Sequence, residues 1–99
     1  MLFARVIGTV VCPRKDDKLV GTKLLMVQPV NMKQEPEGKP LVAVDAVGAG
    51  EGEVVLIVQG SSARQTRRTE GNPCDCAIMA IVDTIEREGK VVFRKHQEG

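Results

Sequence analysis

Three groups of side chains in this sequence have types and spacings that invite chemistry. They are a glycine-rich loop with two carboxylates (Gly48-Ala49-Gly50-Glu51-Gly52-Glu53), two cysteines one residue apart (Cys74 and Cys76), and an arginine cluster (Arg64, Arg67 and Arg68). Glycine-rich backbone can wrap an anion with its N–H groups. A nucleotide loop, however, reads G-x-G-x-x-G between strand and helix, or G-x-x-x-x-G-K-[ST]. Here the glycines alternate, and the loop runs into a stretch of strand formers with Glu51 and Glu53 in its second half. The better reading is a conformational loop with at least one glycine at positive φ, where a side chain is penalised.

The cysteines read as packing groups. Zinc takes four N or S ligands, with paired cysteines usually two to four residues apart, whereas Cys74 and Cys76 enclose only Asp75 and both Cys12 and His96 are remote in sequence. Small buried thiols behave as hydrophobes, so no metal and no cofactor is expected. The single histidine, His96, has no identifiable catalytic partner.

The arginines, with Arg94 and Lys95, suggest a nucleic-acid patch on a barrel of the oligonucleotide-binding type. Such barrels hold single strands by aromatic stacking, worth roughly 1–3 kcal/mol per base, and the only aromatics here are Phe3 and Phe93, near the chain ends. Nucleic-acid binding is therefore the alternative, and arginines meeting carboxylates across a subunit boundary are the plainer reading. Arg64 falls in the first turn of a short helix opened by Ser62 and Gln65 as a capping box. A cation is unfavourable there toward the helix dipole, so Arg64 is expected to find its partner on a neighbouring subunit.

The elements that position these groups are short strands. Val54 to Gln59 is apolar on both faces: Val54, Leu56 and Val58 point one way, Val55 and Ile57 the other. Phe3 to Cys12 is a strand whose interior Gly8 hints at a bulge or a close backbone approach. Lys23 to Val30, Leu41 to Val47, Ile78 to Asp83 and Val91 to Arg94 follow, separated by turns at Arg14–Lys18, Asn31–Pro40, Thr69–Pro73 and Glu86–Lys90. The expected fold is all-β, a small antiparallel, five-stranded, OB-like β-barrel with one short helix and a C-terminal hairpin strand.

Ninety-nine residues make one domain, and the core must be built from aliphatic side chains. Strands with two apolar faces and no covering helices imply that neighbouring subunits supply the missing cover, so the chain is expected to be a homo-oligomer. Charge is balanced, 14 Lys plus Arg against 13 Asp plus Glu, which advertises neither nucleic acid nor an anionic membrane. The absence of a long apolar run, of a secretory signal and of an even cysteine count favours a cytoplasmic location.

Four stretches together resemble a known family. Leu2-Phe3-Ala4-Arg5-Val6-Ile7-Gly8, Lys23-Leu24-Leu25-Met26-Val27-Gln28-Pro29, Val44-Asp45-Ala46-Val47-Gly48-Ala49-Gly50-Glu51-Gly52-Glu53 and Gly60-Ser61-Ser62-Ala63-Arg64 are similar to the bacterial microcompartment vertex proteins, which include the ethanolamine-utilisation and carboxysome pentamers. The resemblance implies a β-barrel subunit, a closed ring of five, a place at the corners of a polyhedral shell, hexameric shell proteins as partners and no catalysis. It also marks Gly48 to Glu53, Gly60, Ser61, Ser62 and Arg64 as candidates for the subunit interface or the loop around the five-fold axis. Cys74 and Cys76 depart from the family pattern, in which small apolar residues are common.

Overall fold

The computed structural model describes residues 1–14, 17, 21–60 and 76–95. Within them the chain forms β1 (Leu2–Val10), β2 (Leu24–Pro29), β3 (Leu41–Asp45), β4 (Val54–Gln59), β5 (Cys76–Ile81), β6 (Thr84–Arg87) and β7 (Lys90–Arg94). The first five close into a barrel in the order β1-β2-β3-β5-β4, and β6 and β7 form a separate two-stranded hairpin.

Alternation along each strand decides what fills the barrel. Ala4 and Val6 of β1, Leu25 and Val27 of β2, Ala43 of β3, Val55 and Ile57 of β4, and Cys76 and Ile78 of β5 form one buried cluster. Full burial of side chains such as Ile57 and Ile78, both 0% exposed, is worth about 1.5–3 kcal/mol each. Cys76 is thus a packing residue, as its sequence context suggests, while Cys74 and His96 lie outside the described residues.

Four features differ from the expectation. First, the barrel is not wholly antiparallel: β3 and β5 run parallel, with Val44 opposite Ala77 and Asp45 opposite Ile78. Second, β5 begins two residues earlier than expected, because Cys76 faces the core and already pairs with Gln59. Third, Glu86 and Arg87 belong to a strand rather than a turn, and the reversal is confined to Glu88 and Gly89, both at positive φ. The expected short helix falls outside the described residues.

Fourth, the second face of β4 is covered from within the chain. Val54 packs with Val82, Ile85 and Phe93 beneath the β6–β7 hairpin, and Val58 packs with Val44 and Ala77. A lone two-stranded hairpin is marginal in water, and Ile85 and Phe93 fix this one to the barrel wall. The cover expected from neighbouring subunits is, for this strand, partly the protein's own C-terminal segment.

Gly8 does sit beside a bulge. Pairing between β1 and β2 passes from Val6 opposite Val27 directly to Gly8 opposite Met26, which leaves Ile7 as the extra residue.

Candidate functional site

The loop from Asp45 to Glu53 joins β3 to β4, and polar groups brace it at both ends. At its start, the side chain of Asp45 is buried and Oδ1 accepts the N–H groups of Val47 and Gly48, each at 3.0 Å. An aspartate accepting from residues two and three further on mimics a backbone turn. Lys23 stands beside it, with Nζ 3.8 Å from Asp45 Oδ2 and donating to the Ala49 carbonyl at 3.3 Å.

In the middle, Ala49 is completely buried and joins the barrel cluster, so the loop turns inward and plugs the core. Gly48 and Gly52 flank this plug at φ +78° and +89°, a region that costs a side chain about 1–2 kcal/mol. Gly50 is different. Its φ is not positive, and an added Cβ would meet only Glu53 Oε1, at 3.3 Å.

At its end, the loop pairs back onto β1. The Gly52 N–H donates to Val6 O at 2.8 Å and the Val6 N–H to Glu53 O at 2.9 Å. Arg5 donates through Nη1 to the Gly52 carbonyl at 2.9 Å and through Nη2 to Gln34 Oε1 at 3.4 Å. Arg5 thereby ties the glycine loop to the 31–36 loop, in which Gln34 holds a positive φ of 68°.

Glu53 has both carboxylate oxygens engaged. Oε1 accepts the Gly50 N–H at 2.6 Å, and Oε2 lies 2.5 Å from Lys95 Nζ, just beyond β7. The hydrogen bond from Lys95, then that from Gly50, hold its carboxyl below the ordinary value of 4.5, against a smaller opposing effect of burial.

This geometry answers the anion-loop question in physical terms. The N–H groups of Val47, Gly48, Gly50, Gly52 and Glu53 are all directed to acceptors of the chain itself, so they do not converge on an outside anion. What the arrangement does is fix a backbone path.

Of the candidates marked in the sequence, Gly48 to Glu53 come together here, with Glu51 exposed at the loop surface. Gly60 caps the far end of β4 at φ +67°. Ser61, Ser62 and Arg64 lie outside the described residues. Sequence reasoning missed the braces Arg5, Lys23, Gln34 and Lys95, which are remote in the chain. Asp45, three residues before Gly48, was the one local signal available.

Comparison with known proteins fits this architecture. Residues 1–83 match the family described as "Ethanolamine utilisation protein EutN/carboxysome". The microcompartment shell vertex protein EutN of Salmonella typhimurium strain LT2 is 46% identical over 95 residues, covering 96% of each chain. Among solved structures, CcmL of Nostoc sp. PCC 7120 superposes with a TM-score of 0.91 at 46% identity, covering 96% of this chain and all of that one. GrpN of Rhodospirillum rubrum, a pentameric microcompartment shell protein, superposes with a TM-score of 0.79 at 47% identity, covering 88% of this chain and 99% of its own. A shared barrel and near-complete alignment at this identity place the sequence resemblance on firm ground: the chain belongs to the EutN/CcmL family.

Proposed function

We propose that this protein is a structural subunit of a bacterial microcompartment shell. Five copies close a cyclic ring that caps the vertices of a polyhedral shell in the cytoplasm, hexameric tiles form the facets, and the ring acts by geometry without catalysis. The observation that carries this reading is the near full-length similarity to a solved pentameric shell protein and to proteins named as shell vertex proteins.

The physics of the chain is consistent with it. A ring joins two different surfaces of each subunit, and the barrel keeps large apolar side chains such as Met26, Val42 and Met79 on its outside. The glycine loop, with the amides of Val47, Gly48, Gly50, Gly52 and Glu53 bonded within the chain and the Glu53 carboxylate held from both sides, is suited to setting a fixed angle rather than to reacting.

The test is shell closure. Hexameric tiles of the same microcompartment should give closed polyhedra by electron microscopy when produced with this chain, and open sheets, tubes or shells with missing corners without it. Equal closure with and without the chain would contradict the proposal.

A further inference from the structure

The β6–β7 hairpin is joined to the barrel in a way that lets it leave. Among the described residues its two strands pair only with each other, and it closes on itself at the root, where the Lys95 N–H donates to Asp83 O at 2.8 Å. Just before that root, the Val82 N–H donates to Val54 O at 2.8 Å and anchors the chain to β4. A swing of the hairpin about Val82 and Asp83 therefore breaks no hydrogen bond of the barrel ladder and none between β6 and β7.

What seats the hairpin is a narrow seam of side chains. Ile85 and Phe93 pack with Val54 and Val82, and Lys95 Nζ reaches Glu53 Oε2. On either flank of this seam the hairpin stands off the barrel. One side is a groove of about 600 Å³ lined by Phe3, Leu56, Ile81 and the root of β6. The other is a groove of about 280 Å³ lined by Arg5, the Glu51 to Val54 turn, Phe93 and Lys95. Val91 and Val92 of β7 stay outside the seam, 40% and 39% exposed. Elements held by few buried contacts open at lower free energy than a barrel core.

We propose that the hairpin is a hinged strap: it opens as one unit about Val82 and Asp83 while the barrel stays closed, and its closure holds the Gly50–Glu53 end of the glycine loop. A hinge needs only a few residues at the end of an element. Once off the wall, a two-stranded hairpin is marginal in water, so release and loss of its own ladder are one event. The loop follows because the Glu53 carboxylate holds the Gly50 N–H through Oε1 and Lys95 through Oε2. When the strap leaves, that carboxylate loses the partner that fixes its orientation. The start of the loop is independent, since the N–H groups of Val47 and Gly48 donate to Asp45.

Amide hydrogen exchange by NMR, on the full chain in its native assembly and without denaturant, tests both parts. The amides of β6 and β7 should exchange through one common opening that occurs at least about a hundredfold more often than the opening of Ile57 and Ile78 in the barrel. Lys95→Met, which keeps the stem and removes the charge, should raise exchange about threefold to fivefold across the hairpin and at Gly50. Gly48 and Ile57 should not change. Ile85→Val, which trims the seam and leaves Lys95 in place, should loosen the hairpin and Gly50 together by about twofold to tenfold.

Hairpin amides as slow as Ile57 and Ile78 would overturn the strap, because opening would then require unfolding of the whole subunit. Hairpin exchange that rises in both variants with Gly50 unmoved would overturn the coupling to the loop.

Discussion

Lys95 and Glu53, 42 residues apart, meet at 2.5 Å, and through this contact the C-terminal hairpin is fastened to the glycine loop. The Glu53 carboxylate simultaneously holds the Gly50 N–H. One side chain therefore couples the loop's conformation to the seating of the hairpin.

The pH dependence of this latch follows from the lowered carboxyl pKa. A group whose folded pKa is depressed contributes stability that is fully present above its unfolded value and is lost as pH falls through the folded value. Stability from Glu53 should thus be complete at neutral pH and decline below about 4.5. Glu53→Gln, which keeps an acceptor for Gly50 but loses the charge, should lower stability at pH 7 by at most about 1 kcal/mol, since both partners are partly exposed. Thermal unfolding at pH 7 and pH 3.5 checks this: the gap between variant and wild type should narrow toward acid, and a gap that widens would refute the assignment.

The glycines of the loop should not be equivalent. Gly48→Ala and Gly52→Ala force a side chain into positive φ and should each cost about 1–2 kcal/mol. Gly50→Ala displaces only the end of the flexible Glu53 side chain, so its cost should be clearly smaller. Urea unfolding at matched protein concentration ranks the three, and Gly50→Ala emerging as the most damaging would contradict the geometry.

Asp45 should act through its oxygens more than its charge. Asp45→Asn retains a side-chain oxygen for Val47 and Gly48, whereas Asp45→Ala leaves two loop amides without acceptors, at about 1–3 kcal/mol. If alanine and asparagine prove equally costly in the same unfolding assay, the pairing with Lys23 and not the turn is what matters.

Phe93 tests the hairpin as cover. It is 5% exposed over Val54 and Ile85, so Phe93→Ala should cost about 3–5 kcal/mol and speed hydrogen exchange at Val54 and its neighbours. Unchanged exchange there would mean that the hairpin does not shield β4.

Much of this was legible in the sequence, for reasons the residues themselves show. β4 was recognisable because six strand formers sit between glycine breakers, and its observed bounds, Val54 to Gln59, are the expected ones. That at least one loop glycine takes positive φ followed from the alternate spacing in a loop entering a buried strand; that Gly48 and Gly52 do so and Gly50 does not was set by the fold. The parallel pairing of β3 with β5 was not legible, since strand order depends on contacts between segments far apart in the chain. β6 was hidden because Thr84-Ile85-Glu86-Arg87 has one buried residue, Ile85, and three exposed ones, so its composition reads as a turn. Nor did the sequence show that Lys95 returns to Glu53, a contact created entirely by the hairpin folding over β4.

The central claim is the closed ring of five, and native mass spectrometry of the unmodified chain at micromolar concentration tests it most directly. The predicted dominant species has the mass of five 10.7 kDa chains. A stable monomer, a dimer or a hexamer as the dominant species in solution would contradict it.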